Sequence, residues 1–218
     1  MTTRDLASSS EAPTDQTARG SRLAGAPTRI GIMGAGAWGT ALAVTAQRAG
    51  RQVSIWARDL AVLQDRMDAA PDALRAELAC LTQVEALSDL VTCDAVLLVT
   101  PAQTIIDVVA QLDQAAQDAG RPLPQLVLCA KGFDRASGRP LSELLDDRTA
   151  DPAARAEQLA VLSGPSFAGD VLAGAPTAVT LACADTASGE ALARALSHRA
   201  FRCYWSPDTV GVQVAGAA

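Results

Sequence analysis

In the stretch RIGIMGAGAWGTALA, residues 29–43, three glycines fall at Gly34, Gly36 and Gly39. At this spacing the first permits a tight turn and the second lets backbone approach a pyrophosphate. The third lets a following helix pack close to a sheet, its N-terminus aimed at phosphate charge. The same pattern also serves as a structural turn in a flavodoxin-like domain, so its meaning depends on its flanks. The apolar run RIGIM precedes it, and the helix formers of AWGTALAVTAQR follow, closed by Gly50. RQVSIWARD then reads as a second strand. Strand, glycine turn, helix and strand within about 30 residues make the unit that a dinucleotide fingerprint requires.

That fingerprint asks for an acidic residue at the end of the second strand, to bind a ribose 2′-hydroxyl. Trp56 stands near that place and Arg58 follows. An arginine there suits a 2′-phosphate through its charge and planar fork of donors, so the reading favours NADP(H). Asp59 leaves NAD(H) open, and a solvated surface arginine is the plain alternative for Arg58.

Among 18 basic residues Lys131 is the one lysine, and it ends the apolar run PQLVLCAK. Ligands of doubly wound folds gather at the carboxyl ends of strands, where a compact ammonium suits a phosphate or a polarised carbonyl oxygen. A snorkelling surface lysine is its plain alternative. In SGPSFAGD, Ser163 or Ser166 could cap the next helix, and the Gly164-Pro165 turn presents N–H groups to an anion. His198, the sole histidine, stands at a helix end with no acid partner, which fits a surface or dipole-stabilised group better than a catalytic base.

Five cysteines are scattered with no C-x-x-C pair, and no His cluster completes a metal site. They are expected as buried reduced thiols of a cytoplasmic protein, with no metal. The 218 residues are 49% hydrophobic and 19% charged, enough for a sizeable core. A net charge of −6 gives no basic face for nucleic acid. No segment approaches the ~18 apolar residues of a membrane span, and residues 1–28 read as a disordered polar leader.

These residues need a scaffold. The segment Leu60–Leu90 reads as helix broken at Pro71, and CDAVLLVTP reads as a strand buried on both faces. QTIIDVVAQLDQAAQDAG is an amphipathic helix with Ile105, Ile106, Val109 and Leu112 on one stripe. PQLVLCAKG, LAVLSGPSFAGDVLAG, PTAVTLAC, a helix from about Thr186 to His198, and AFRCYWS continue the alternation. The order predicts an α/β, Rossmann-type doubly wound, mostly parallel sheet over residues 29–205, with 206–218 starting a further helical part.

Four ordered motifs, GAGAWGTALA, CAKGFD, SGPSFAGDVLAGAPTA and FRCYWSPDTVGVQVAGAA, carry a more specific likeness. Over residues 29–218 the chain resembles the N-terminal part of the bacterial NAD(P)-dependent sn-glycerol-3-phosphate dehydrogenases. The resemblance implies reversible hydride transfer between NAD(P)H and dihydroxyacetone phosphate, supplying glycerol 3-phosphate for phospholipid synthesis, and leaves a homodimer open. By the same resemblance Gly34, Gly36, Ala37, Trp38, Gly39 and Arg58 contact the cofactor. Lys131 contacts cofactor and substrate, Gly164 and Ser166 lie by the substrate, and Ala168 by the cofactor. The chain departs from the family where an aromatic-Leu-Pro-Gly stretch is replaced by MDAAPDALRAELACLTQV. The family's catalytic lysine, in a Lys-Asn pair, would follow Ala218, so low activity of this chain alone is expected. A non-catalytic dinucleotide-binding or redox-sensing module is the rival reading. Another β-hydroxyacid-type reductase would not account for CAKG followed by SGPSFA.

Overall fold

The computed structural model describes residues 25–146 and 158–217. The expected leader falls almost wholly on residues 1–24, outside the described residues. Among the described residues, β1 (Arg29–Met33), β2 (Gln52–Trp56), β3 (Thr82–Val84), β4 (Ala95–Leu98), β5 (Gln125–Leu128), β6 (Leu159–Ser163), β7 (Thr177–Cys183) and β8 (Phe201–Ser206) form one sheet in the order β3-β2-β1-β4-β5-β6-β7-β8. Every neighbouring pair is parallel except β6 with β7. The strand order reverses between β1 and β4, the switch point at which doubly wound sheets open a crevice. The expected Rossmann-type α/β fold is present.

The helices are α1 (Ala37–Arg48), α2 (Ala61–Ala69), α3 (Asp72–Ala79), α4 (Leu87–Leu90), α5 (Ile105–Asp118), α6 (Leu141–Asp146), α7 (Ala168–Leu172), α8 (Thr186–Leu196) and α9 (Thr209–Ala217). They cover both faces of the sheet, and β4 shows the consequence. Ala95 and Leu97 join one buried cluster with Leu42, Val171 and Leu192, while Val96 and Leu98 join another with Ile105, Val109 and Leu112. Because neither face meets water, an uninterrupted apolar run replaces alternation. On α5 the expected stripe is buried at Ile105, Val109 and Leu112, with Ile106 half-buried.

One element differs from expectation. Thr82–Val84, read as helix, is an edge strand paired with Ser54–Trp56. Its β-branched ends fit a sheet, but three residues are too few to display alternation. The one antiparallel pair follows from the return after β6. Five-residue α7, about 7.5 Å long, is too short to carry the chain back along the sheet, so β7 makes the return itself and runs antiparallel.

α9 lies against β6 and β7. Its buried Gln213 Oε1 accepts from the Ser142 N–H at 3.2 Å and from the Ser142 hydroxyl at 2.8 Å. The five cysteines are free, but only Cys93, Cys129 and Cys183 are buried; Cys203 is half-buried and Cys80 is exposed at the end of α3. The expectation of five buried thiols therefore fails at Cys80, which follows the last turn of a surface helix.

Candidate functional site

A cleft of about 730 Å³ opens at the carboxyl ends of β1, β2, β4, β5 and β6, a size ordinary for a cofactor site. The turn after β1 forms its floor. Gly34 holds φ +121°, a conformation that side chains rarely adopt, and its N–H donates to the Trp56 carbonyl at 2.8 Å. A Cβ on Gly39 would run into the Gly34 carbonyl oxygen, so this glycine lets α1 close on the turn. A Cβ on Gly36 would meet nothing within 4 Å. Backbone there faces open cleft, a cradle that a methyl group would begin to fill. No side chain caps α1 and no acidic residue lies in its first turn, which leaves its N–H groups to face an anion.

Gly34, Gly36, Ala37, Trp38, Gly39, Arg58, Lys131, Ser166 and Ala168 all line this cleft. Gly164 does not, but its carbonyl oxygen accepts from Lys131 Nζ at 3.3 Å, which draws the loop after β5 to the turn after β6. At the β2 end, Trp56 takes the place of the expected acid and turns its indole N–H to the Glu85 carbonyl at 3.0 Å. Asp59 Oδ1 accepts from the Ala61 N–H at 2.9 Å, at the start of α2. Arg58 is exposed, with no hydrogen bond or ion pair among the described residues.

Sequence reasoning missed Thr100 and Phe167. Thr100 follows β4 and lines the cleft, with a buried hydroxyl that has no partner. Phe167 is 76% exposed at the cleft wall. Both lie inside stretches already read, CDAVLLVTP and SGPSFAGD, so their place at strand ends was the available signal. Cys129 also lines the cleft; burial pushes its thiol far up, which keeps it neutral.

One local expectation is overturned. Neither serine caps α7: the helix begins at Ala168 behind extended Phe167, which makes no side-chain cap bond. The Ser166 hydroxyl donates instead to the Gly164 carbonyl at 3.4 Å, and Ser163 Oγ is buried beside Gly216 without a partner. His198 lies half-buried outside the cleft. Burial, with the Arg48 cation adding to it, lowers its pKa and favours neutral imidazole. Its Nδ1 accepts from the Ala200 N–H at 3.3 Å.

Among the described residues, no group of three or more His, Cys, Asp or Glu could hold a metal ion, and no helix is long and apolar enough to cross a membrane.

Sheet order, switch-point crevice and glycine turn together define a Rossmann-type α/β protein. Residues 29–200 match the family described as NAD-dependent glycerol-3-phosphate dehydrogenase N-terminus. The chain belongs to this family. It is 47% identical over 195 residues to glycerol-3-phosphate dehydrogenase [NAD(P)+] of Azorhizobium caulinodans, covering 87% of this chain and 56% of the relative. The enzyme of the same name from Parvibaculum lavamentivorans is 42% identical over 193 residues, with 87% and 55% covered. The chain thus spans about half the length of the curated relatives it matches. Among solved structures, glycerol-3-phosphate dehydrogenase from Coxiella burnetii superposes with a TM-score of 0.68 at 26% identity, over 87% of this chain and 57% of that one.

Proposed function

We propose that this chain binds NAD(P)(H) in the switch-point crevice and supplies the nucleotide-binding part of a glycerol-3-phosphate dehydrogenase. The reaction is the reversible reduction of dihydroxyacetone phosphate to sn-glycerol 3-phosphate, which feeds glycerophospholipid synthesis. The observation that carries the reading is the pair of glycines with opposite surroundings: Gly39 sealed on the Gly34 carbonyl, Gly36 open to the cleft. A packing turn needs the first alone. Open backbone beside an uncapped helix start is the arrangement a pyrophosphate uses.

On this reading Gly34, Gly36, Ala37, Trp38 and Gly39 hold the pyrophosphate end, Ala168 lies by the cofactor, and Arg58 takes a 2′-phosphate. The bias toward NADP(H) rests on Asp59 being engaged at α2 while Arg58 is free. When bound, the nicotinamide supplies or accepts the hydride. Lys131, with Gly164 and Ser166 beside it, offers an ammonium to the substrate phosphate or to the carbonyl oxygen as it gains negative charge. Reduction also needs a proton for the developing alkoxide. Among the described residues the charged side chains lining the cleft are Arg58, Asp59 and Lys131. Arg58 and Asp59 stand at the β2 end, and Lys131 is committed to charge stabilisation. We therefore expect these 218 residues to bind nucleotide well and turn over slowly.

Trp38 and Trp56 both line the cleft, so their fluorescence reports its occupancy. Titration with NADPH and NADH should give saturable quenching, tighter for NADPH. A folded chain that binds neither nucleotide would refute the reading. Oxidation of NADPH with dihydroxyacetone phosphate at ordinary enzymatic rates would refute slow turnover alone.

A further inference from the structure

Ser166 and Ala168 reach the cleft at the start of α7, a segment whose Val171 is buried in the core against α1. α7 has five residues, below the length at which a helix sustains itself. Extended Phe167 at its start makes no side-chain cap bond. Its other end is clasped from outside. The Val171 and Leu172 carbonyl oxygens accept from the two terminal nitrogens of Arg48, at 3.1 and 2.9 Å. Arg48 is the last residue of α1, and its guanidinium also meets both carboxylate oxygens of Glu77 on α3, at 2.9 and 3.3 Å. The arginine side chain is only 25% exposed. One planar group with five donors makes these four bonds together; an ammonium with three donors cannot reproduce them.

We propose that Arg48 is a positioning residue: by clasping the C-terminal carbonyls of α7 it sets the Ser166–Ala168 wall of the cleft while touching neither nucleotide nor substrate. Arg48 does not line the cleft. Its hold lies about 5–6 Å behind Ala168, three to four residue rises along α7, so a shift at the anchor is carried to the wall by one short helix. The consequence for binding rests on the nucleotide reading above.

Hydrogen exchange and nucleotide titration on the full chain test this together. Arg48→Ala should speed exchange of the α7 amides about 10-fold and weaken NADPH about 5- to 10-fold, the scale of charge-assisted bonds lost at one anchor. NADH should weaken by the same factor, because the 2′-phosphate is assigned to Arg58 and not to α7. Arg48→Lys should fall between wild type and alanine, and Glu77→Gln should shift both readouts less in the same direction. Arg51 provides the control, since it also binds a helix-end carbonyl, that of Ala195 at 3.1 Å, but not α7. Arg51→Ala should leave both readouts at wild-type values. Unchanged α7 exchange in folded Arg48→Ala overturns the proposal, as does faster exchange with unchanged affinity, or equal effects from Arg51→Ala. Should Arg48→Ala fail to fold, Arg48→Lys and Glu77→Gln decide by the same criteria. A wild-type chain that binds no nucleotide defeats the parent reading instead, and the exchange comparison alone then decides whether Arg48 holds α7.

Discussion

Lys131 Nζ donates to the Gly164 carbonyl oxygen at 3.3 Å, joining residues 33 positions apart at the ends of β5 and β6. The bond is long for a charged donor, and an ammonium has two further protons to give. Lys131 is also exposed, so little of the fold depends on it. Lys131→Ala should therefore weaken dihydroxyacetone phosphate binding about 10- to 100-fold, the scale of one charge-assisted hydrogen bond, with an unchanged melting temperature. Calorimetric titration alongside thermal unfolding checks both halves. Equal binding by the variant would assign Lys131 to the surface.

The two glycines of the cleft floor should separate folding from binding. Gly39→Ala drives a methyl group into the backbone carbonyl oxygen of Gly34, with no flexible neighbour to yield. Losses above about 4 kcal/mol are expected of such clashes, and soluble folded protein should be lost. Gly36 has φ −65°, open to any residue, and space around its Cβ position. Gly36→Ala should keep the wild-type melting temperature and lose nucleotide affinity, measured by the same fluorescence titration.

Cofactor choice should turn on Arg58 and not on Asp59. Arg58→Ala should weaken NADPH about 10- to 100-fold while changing NADH less than about 3-fold, because only the former carries a 2′-phosphate for the guanidinium to meet. Asp59 spends its carboxylate on the Ala61 N–H. Asp59→Asn should leave the ratio of the two affinities unchanged. A shift of that ratio toward NADPH would instead mean that Asp59 reaches the ribose.

What the sequence disclosed and what it hid follow from the range of the forces involved. The glycine turn and the buried run Ala95–Leu98 were legible because local backbone demands and two-sided burial leave their mark within a few residues. The cleft was legible in outline for a topological reason: each motif sits at a strand's carboxyl end, and the fold gathers those ends at one edge. β3 was hidden because its strand character comes from pairing with Ser54–Trp56, not from its own three residues. At His198 the local cue was a helix end, but burial and Arg48, 150 positions away, lower its pKa. The Arg48 clasp joins α1, α3 and α7, and no spacing in the chain announces it. Long-range polar contacts of this kind select a partner only after the sheet has formed.

One acid-sensitive joint stands at the opposite, amino end of β1. Asp94 Oδ2 accepts from the Thr28 N–H at 2.9 Å, the Thr28 hydroxyl at 3.0 Å and the Arg29 N–H at 2.9 Å. Its Oδ1 accepts from the Arg29 guanidinium at 3.2 Å. Burial alone would raise the carboxyl's pKa, but these donors outweigh it and hold it below the ordinary 3.8. A depressed folded-state pKa means stability that is fully present above the unfolded value and lost as pH falls through the folded one. Asp94→Asn should accordingly lower the melting temperature at pH 7 by about 2–4 °C, the effect of roughly 1 kcal/mol at this chain length. The gap between variant and wild type should hold down to about pH 5 and narrow below it, as protonation removes the same interactions from the wild type. Thermal unfolding from pH 7 to pH 3 checks this, and a gap that stays constant through that range would show that the four bonds do not depend on the carboxylate charge.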